Sequence, residues 1–337
     1  MRAALLRAFG PIELVTPEEV PAPSPGIGEV LIDVAVAPVN YVDLVVIAGR
    51  YQFSPVLPFI PGKGPVGVVS AVGPGVSGLE VGCRVLAMAE HGGYAEKITV
   101  AAEQCYRLPD AMPFAQAASM SLAYDTAWFA LRERARCVEG ETVLVLGASG
   151  AVGFAAVQIA KAFGARVLAG IRRRENAGRV LEAGADAVID LSIPELHDGL
   201  REQVRAANDG RLADIVLDPL GDAVFDAAIR AVDWCGRLVV IGFAAGHIPQ
   251  IKVNYLMVKN IEISGLQISD YRKRQPSKVA RCFAELFALY RACAVRPPEP
   301  VIYPLKKVVA ALAAVRDRSS HVRVVLDMQE ADRPDQG

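Results

Sequence analysis

The sequence predicts an α/β protein that combines a doubly wound parallel sheet with a second, β-rich domain. A short apolar run at 142–146 leads through a glycine-rich turn into a segment whose apolar residues have helical spacing. Further strands and helices alternate after this unit, which is typical of a parallel sheet. The first ~120 residues instead contain short β-type runs divided by glycine and proline.

Length and composition exclude several classes of protein. The 337 residues suffice for one or two domains with substantial cores. Apolar content of 53% argues against disorder, and a net charge of −1 gives no reason to expect nucleic-acid or membrane-surface partners. No apolar run reaches the ~18–20 residues of a membrane helix, and the start of the chain does not resemble a signal peptide. The six cysteines lack C-x-x-C spacing, so we expect reduced thiols and a cytoplasmic protein.

The central motif is the turn Gly147–Ala–Ser–Gly150–Ala–Val–Gly153. A pyrophosphate needs backbone N–H groups and the positive end of a helix dipole at close range. A Cβ at Gly150 would hold the phosphates away, and Gly153 lets the helix approach the strand. The usual fingerprint is G-x-G-x-x-G, and here the first two glycines are three residues apart. The context favours a Rossmann dinucleotide site, and a glycine-rich turn of another α/β protein is the alternative.

The residues after the next strand, predicted at 165–171, indicate which dinucleotide binds. NAD-binding proteins usually place an acidic residue there to bond the ribose 2′-hydroxyl. This chain has Arg172, Arg173 and Arg174, and guanidinium groups suit a 2′-phosphate. The sequence therefore favours NADPH over NADH, although a solvated start of a helix is the alternative.

The other predicted elements follow in chain order. Strands are predicted at 3–8, 30–37, 65–72, 83–88 and 94–100, with a short helix that begins near Asp43, and an antiparallel barrel-like unit is the simplest arrangement. Helices at 115–118 and 122–134 lead into the second domain. Strands at 187–190, 215–218, 237–243 and 261–266 extend its parallel sheet, with helices at 177–183 and 225–232 between them. Helices at 278–294 and 308–315 precede a strand at 323–326 that could return to the first domain. Ligands bind outside the carboxyl ends of such strands, so Arg172, Asp218, Gly242 and Phe243 should lie on the ligand side.

Seven motifs together resemble the medium-chain dehydrogenase/reductase superfamily, and within it the zinc-independent quinone oxidoreductase family. They are VNYVD at 39–43, LPFIPG at 57–62, GGYAE at 92–96, the glycine turn, GAD at 184–186, DIVLD at 214–218 and GRLV at 236–239. The resemblance implies a GroES-like catalytic domain at 1–123, completed by a return segment at 266–337. It also implies a Rossmann NADPH-binding domain at 124–265 and a homodimer paired through the sheet edge near 261–265.

The zinc alcohol dehydrogenases of the superfamily match poorly. Asn40 stands where their first catalytic ligand, a cysteine, lies, and Gly62-Lys63-Gly64 replaces their Gly-His-Glu. Their four-cysteine lobe is absent, and catalytic zinc needs three N, S or O ligands, so we expect no metal. Gly64, with Lys63 before it, also replaces the glutamate that the quinone oxidoreductase family usually carries. Because of that departure, the family pattern does not determine the charge near the substrate or the choice of substrate.

The resemblance further implies which residues act. Asn40, Tyr51 and Thr126 would line the nicotinamide and substrate crevice, and each can donate a hydrogen bond to a carbonyl oxygen that gains charge or to the cofactor. Tyr51 is the first choice for the acceptor oxygen, Asn40 for orienting nicotinamide or substrate, and Thr126 for the cofactor's amide or ribose. Capping a turn, packing in a loop and bonding within a helix are the structural alternatives. The expected cofactor contacts are Ser149, Gly150, Ala151, Val152, Gly153, Arg172, Arg173, Gly242, Phe243, Leu266 and Arg318.

Three functions remain open from sequence. The leading hypothesis is an NADPH-dependent reductase of quinones, and its substrate would be a small molecule. The second is a reductase of α,β-unsaturated carbonyls or enoyl thioesters, which shares the hydride step. The third is a non-catalytic NADPH-binding sensor, against which Asn40, Tyr51 and Thr126 argue mildly.

Overall fold

The computed structural model describes residues 1–317 and 323–329, and these form two compact units. The first unit comprises Met1–Leu122, Arg272–Phe283 and the described residues after 296. The second comprises Ala123–Tyr271 and Ala284–Arg296. The predicted domain boundaries fall at 123/124 and 265/266. This division differs from them mainly at Ala284–Arg296, which belongs to the second unit.

Strands and helices alternate along most of the chain. The strands are β1 (Arg2–Leu6), β2 (Val15–Glu19), β3 (Glu29–Val39), β4 (Val66–Val72), β5 (Arg84–Ala87), β6 (Lys97–Ala101), β7 (Cys105–Arg107), β8 (Thr142–Leu146), β9 (Arg166–Ile171), β10 (Ala187–Asp190), β11 (Ala213–Asp218), β12 (Val232–Val240), β13 (Glu262–Gly265), β14 (Val301–Pro304) and β15 (Val324–Asp327). The helices are α1 (Tyr41–Ile47), α2 (Phe114–Met120), α3 (Ala123–Phe129), α4 (Ala151–Ala162), α5 (Ala177–Glu182), α6 (Leu196–Ala207), α7 (Asp222–Ala231), α8 (Asn254–Lys259), α9 (Ile268–Arg274), α10 (Pro276–Arg291) and α11 (Val308–Arg316).

The second unit contains a six-stranded parallel sheet in the order β10-β9-β8-β11-β12-β13. Taken from β8 onward, this is the 3-2-1-4-5-6 order of a Rossmann fold, and it confirms the predicted fold class. Every residue of β8 is buried, as the continuous apolar run predicts. The strand order reverses between β8 and β11, so a ligand crevice is expected outside their carboxyl ends.

The first unit is organised around the long strand β3. Its sheet has the order β14-β15-β3-β4-β5-β7, and β6 also pairs with β3. All pairs are antiparallel except β14 with β15. Because β15 pairs with β3, the carboxyl-terminal segment completes the sheet that the amino-terminal segment begins, as the sequence suggested.

Several boundaries differ from the predicted ones. Strand β12 begins at Val232 and ends at Val240, so Gly242 and Phe243 follow the strand and do not belong to it. Helix α3 ends at Phe129 and continues as a π-helical stretch, Ala130–Arg134, where one continuous helix was predicted. Helix α6 was not predicted at all. No helix in the described part of the chain is long and apolar enough to cross a membrane.

Candidate functional site

The amino-terminal end of α4 forms an anion-binding arrangement. Gly150 is its N-cap and makes no side-chain cap hydrogen bond. The amide of Phe154 makes the first bond back to the Gly150 carbonyl, at 2.8 Å. The amides before it therefore have no partner within the helix. Gly150 and Ala151 are exposed, so these amides and the positive helix end can meet a phosphate.

Two of the three glycines in this turn are required by the protein itself. A Cβ on Gly153 would lie 2.2 Å from the Gly147 carbonyl oxygen and 2.8 Å from the Ala148 Cα. Gly147 has a φ of +61°, which disfavours other residues. A Cβ on Gly150 would meet only the Gly147 oxygen, at 3.3 Å. Packing within the protein therefore constrains position 150 less than position 153, and the space in front of the exposed amides stays open.

Asp218, at the end of β11, fixes the loop that packs against the glycine turn. Its Oδ1 accepts hydrogen bonds from the amides of Leu220 and Gly221, at 2.8 and 3.0 Å. Burial raises the pKa of this fully buried carboxyl, and these two amides oppose the increase. Leu220 in turn packs against Gly147, 3.0 Å from the position of a Cβ there. Asp218 was predicted to lie on the ligand side, without a role of its own.

The three arginines after β9 have different surroundings. All are exposed. Arg174 pairs with Asp190 at 3.1 Å, and Arg173 lies 3.9 Å from Glu175. Within the described ranges, no carboxylate lies within 4 Å of Arg172. Arg172 is therefore the arginine of this group that is best placed to receive a phosphate.

A cavity of about 290 Å³ lies at the carboxyl ends of β9 and β10. Arg174 and Asp190 line this cavity, and Arg174 was not among the predicted cofactor contacts. The residues that line the cavity are Ile171, Arg174, Ala177, Val188, Asp190 and Gln203. The carboxyl ends of these strands are where a Rossmann fold receives the adenosine half of a dinucleotide.

The remaining predicted cofactor contacts of the second unit lie near the same sheet edge. Gly242 and Phe243 follow β12, and Leu266 follows β13, where its amide donates to the Val240 carbonyl at 3.0 Å. Ser149 and Val152 are half-buried within the turn and the first turn of α4. Arg318 lies outside the described residues. Contact of these residues with a cofactor stays a prediction.

Thr126 lies on α3 in the second unit and is buried. Its amide donates to the Asp125 Oδ1 at 2.6 Å, and its hydroxyl lies 3.4 Å from the same oxygen. Asp125 is fully buried. The local carboxylate thus holds Thr126 in place, and a cofactor contact of its hydroxyl stays a prediction.

Asn40 is the N-cap of α1 in the first unit, and its side chain and backbone amide make several hydrogen bonds. Its amide donates to the Asp43 Oδ2 at 2.9 Å. Its Nδ2 lies 3.3 Å from both that oxygen and the Pro38 carbonyl. Its Oδ1 accepts from the Arg323 guanidinium at 2.8 Å. These bonds fix the carboxamide, and its orientation of a ligand stays a prediction.

Asp43 anchors this group from the core. The Tyr94 hydroxyl donates to its Oδ2 at 2.8 Å, and both side chains are buried. Burial raises the pKa of Asp43, although the bonds from Asn40 and Tyr94 and the Lys63 charge oppose it. Burial and the neighbouring Asp43 carboxyl raise the pKa of Tyr94 well above its ordinary value. No local sequence pattern predicted this pair, because Asp43 and Tyr94 are 51 residues apart.

Tyr51 is half-buried in the loop after α1 and packs against the core of the first unit. Its ring meets the Phe53 ring edge-on, with centroids 6.2 Å apart. The Lys63 Nζ lies 5.2 Å from the centroid of the Tyr51 ring, which is within cation–π distance. The residue that departs from the family pattern therefore contacts the residue predicted to bind the acceptor.

Lys63 belongs to a buried ionic cluster, which we call the Lys63–Glu90–Arg272 triad. Glu90 accepts one bond from Lys63 and another from the Arg272 Nη1, at 3.0 Å. Burial alone would raise the pKa of Glu90, but the Arg272 and Lys63 charges overcome it and lower the pKa to about 2. Burial and the Lys63 charge lower the pKa of the adjacent His91.

Glu90→Gln should lower the free energy of unfolding at pH 7 by about 2–4 kcal/mol, because it removes the negative charge that Lys63 and Arg272 share. A lowered carboxyl pKa stabilises the fold above the ordinary value of 4.5, and this stabilisation is lost as the pH falls toward 2. The difference in the free energy of unfolding between wild type and variant, measured by urea denaturation, should therefore narrow as the pH falls from 4.5 toward 2. Glu80→Gln breaks an exposed pair with Arg107 and should cost less than about 1 kcal/mol. A difference in unfolding free energy that does not depend on pH would contradict the lowered pKa of Glu90.

The described residues offer no cluster of side chains that could bind a metal ion. Residues 1–317 and 323–329 contain no group of three or more His, Cys, Asp or Glu side chains arranged to hold a metal ion. The two positions that correspond to zinc ligands in the alcohol dehydrogenases carry Asn40, bonded to Arg323, and Lys63, paired with Glu90. Neither side chain is a zinc ligand in that state.

Comparison with known proteins relates both units to one superfamily. The alcohol dehydrogenase GroES-like domain matches residues 26–110, and the zinc-binding dehydrogenase family matches residues 151–285. The chain is 31% identical over 332 residues to the quinone oxidoreductase-like protein 2 homolog of Nematostella vectensis, covering 98% of this chain and 89% of that protein. It is 33% identical over 316 residues to human quinone oxidoreductase, covering 92% of each. A mycobacterial protein solved in complex with NADPH has a TM-score of 0.89 at 30% identity, covering 97% of this chain and 99% of that one.

Proposed function

Because the chain belongs to the quinone oxidoreductase-type family of medium-chain dehydrogenases/reductases and is an NADPH-binding oxidoreductase, we propose that it reduces a quinone without zinc. The observation that carries the proposal is the open amino-terminal end of α4, followed one strand later by Arg172, which pairs with no carboxylate of the described residues. Together they offer a site for a pyrophosphate and a site for a 2′-phosphate.

The residues of the second unit suit NADPH. The amides of Ala151, Val152 and Gly153 would hold the pyrophosphate, and the glycine at 150 leaves room for its approach. The cavity beside Arg174 would take the adenosine end, with Arg172 on the 2′-phosphate. Bound NADPH supplies the hydride.

The residues of the first unit suit an acceptor oxygen that gains negative charge. The Tyr51 hydroxyl would donate to that oxygen and stabilise the charge as it develops. Asn40 would orient the ligand, because the bonds to Asp43 and Arg323 hold its carboxamide rigidly. Thr126 of the second unit would bond the cofactor's amide or ribose.

An acceptor assay tests the proposal. We expect NADPH oxidation with 1,4-benzoquinone, and Tyr51→Phe should lower kcat by about 10- to 100-fold with a smaller change in KM. Turnover of an enone or an enoyl thioester alone would replace the quinone assignment with the second hypothesis. Tight NADPH binding without turnover of any acceptor would favour the sensor.

Zinc independence has its own test. After dialysis against EDTA, metal analysis should find no zinc in the protein. The dialysed protein should keep its full rate of benzoquinone reduction. The physical reason is that Asn40 and Lys63, which are bonded to Arg323 and Glu90, stand where the alcohol dehydrogenases have zinc ligands. A rate that falls on chelation and returns with added Zn²⁺ would contradict this part of the proposal.

A homodimer is part of the proposal. Strand β13 is one of the two outer strands of the second unit's sheet, and an outer strand can pair with a second copy through its edge N–H and C=O groups. Val253, Met257 and Val258, in and beside α8, are exposed and apolar. Sedimentation equilibrium should give twice the chain mass, and Met257→Glu should shift the equilibrium toward the monomer. A monomer at micromolar concentration would contradict it.

A further inference from the structure

Asp218 is a fully buried carboxyl at the carboxyl end of β11, beside the point where the strand order reverses. Its Oδ1 accepts hydrogen bonds from the amides of Leu220 and Gly221, at 2.8 and 3.0 Å. Its Oδ2 is also buried, and no group within residues 1–317 and 323–329 bonds to it. A buried polar atom without a partner is costly, so an apolar side chain would fill this strand end more cheaply. The carboxyl must therefore be explained by what its Oδ1 holds.

On one side, the loop that Oδ1 holds reaches the glycine turn. Two side-chain atoms of Leu220, Cδ2 and Cγ, lie 3.0 and 3.4 Å from the position of a Cβ on Gly147. The Gly147 carbonyl in turn accepts a hydrogen bond from the amide of Gly150, the N-cap of α4, at 2.9 Å. A movement of Leu220 would therefore be passed through Gly147 to the amino-terminal end of the helix.

On its other side, the same loop contacts the segment that follows β12. The amide of Ala245 donates to the Leu220 carbonyl at 2.9 Å. A Cβ on Gly221 would lie 3.0 Å from the Cδ1 of Phe243, so the backbone of the loop packs closely on that ring. One three-residue loop, 219–221, thus contacts both the glycine turn and the segment that carries the predicted cofactor contacts at 242 and 243.

We propose that Asp218 is a positioning residue for the dinucleotide, and that its Oδ1 holds the 219–221 loop against both the glycine turn and the segment at 242–245. The inference rests on the cofactor-binding role of the glycine turn in the proposed function. Asp218 acts through the loop and does not itself contact the cofactor. Its effect should be equal for NADPH and NADH, because the 2′-phosphate is placed at Arg172 and not at either of these segments.

Asp218 performs this role as a hydrogen-bond acceptor and not as a charge. No cation of the described residues pairs with it, and burial raises the pKa of its carboxyl although the two amides oppose the increase. A neutral side chain with an oxygen in the same place should therefore replace it. Asparagine is that side chain, since its carboxamide oxygen can accept the same two amide bonds.

Fluorescence titration with NADPH and NADH tests the proposal. Asp218→Leu has a side chain of similar shape that accepts no hydrogen bond, and it should raise both dissociation constants by about 10- to 100-fold. The ratio between the two cofactors should stay as in the wild type. Asp218→Asn should bind both cofactors within about threefold of the wild type.

Asp214 offers a matched control at the opposite end of β11. Its Oδ2 accepts a hydrogen bond from the backbone amide of Thr142, at 2.7 Å. Asp214→Leu therefore also removes a carboxylate that holds a backbone amide in the same strand. It should unfold at a lower temperature and still bind both cofactors as the wild type does, because its bond lies away from the glycine turn.

Leu220→Ala tests the same connection without touching the carboxyl. The two bonds of Asp218 end on backbone amides, so the variant keeps them and loses only the side-chain contact with Gly147. It should raise the dissociation constants of both cofactors by about fivefold or more. This variant decides the question even if Asp218→Leu does not fold.

The outcomes separate this inference from the proposed function. If Gly153→Ala weakens NADPH binding while Asp218→Leu and Leu220→Ala bind as the wild type does, the glycine turn binds the cofactor and the role of Asp218 is overturned. If all three variants bind normally, the proposed cofactor site is wrong and the inference falls with it. A loss in Asp218→Asn as large as in Asp218→Leu, or a loss for NADPH alone, would also overturn the role of Oδ1.

Discussion

Gly153→Ala is expected to lower the affinity for NADPH by about 100-fold and the free energy of unfolding by about 1–3 kcal/mol. The added Cβ would lie 2.2 Å from the Gly147 oxygen and 2.8 Å from the Ala148 Cα, and both are backbone atoms. Neither can rotate away as a side chain could. Helix α4 must therefore move off the glycine turn, and the amides that receive the pyrophosphate move with it.

Two further glycine variants make this result specific. Gly178 lies on α5 of the same unit with open space around its Cβ position, so Gly178→Ala should bind NADPH normally and unfold no more easily. Gly150→Ala meets no close protein atom except the Gly147 oxygen at 3.3 Å. It should weaken NADPH binding with little change in stability. Isothermal calorimetry and thermal denaturation measure both quantities, and normal NADPH affinity of Gly153→Ala would contradict the proposed site.

Local patterns predicted the second unit well where one signal dominated. Strands β8 and β10 were predicted with the observed boundaries, because short apolar runs end there at turn residues. Helix α6 was missed although its buried residues Leu200 and Val204 are four apart. Charged and polar residues make up most of the rest of that helix, so its mean hydropathy is low and the narrow apolar stripe is easily overlooked.

The candidate site shows where sequence reasoning ends. The glycine turn lies within seven consecutive residues, and the physical need for its glycines can be read directly from the sequence. The Lys63–Glu90–Arg272 triad joins positions 27 and 182 residues apart, and Arg323 bonds Asn40 across 283 residues. No local periodicity connects such positions, so only tertiary structure shows that Lys63 is buried beneath Tyr51. The sequence flagged Lys63 as a departure and could not say what it contacts.

The joint substitution of Arg172 and Arg173 by alanine should weaken NADPH binding by about 10- to 150-fold and change NADH affinity less than twofold. The range corresponds to about 1.5–3 kcal/mol for a lost charge-assisted bond to the 2′-phosphate, which NADH lacks. Arg172 should account for most of the loss, because Arg173 lies 3.9 Å from Glu175 and no described carboxylate competes for Arg172. Fluorescence titration with both cofactors measures the ratio.

Arg174→Ala is the matched comparison for this effect. Arg174 already pairs with Asp190, so its removal frees a carboxylate beside the cavity and adds a negative charge near the adenosine end. We expect it to weaken both cofactors, and NADPH more at low salt, because exposed charges are screened as ionic strength rises. The loss caused by Arg172→Ala should likewise shrink between 20 and 500 mM salt, by about threefold or more. Equal losses of NADPH and NADH in the double variant would mean that these guanidinium groups do not read the 2′-phosphate, and the preference for NADPH would then need another source.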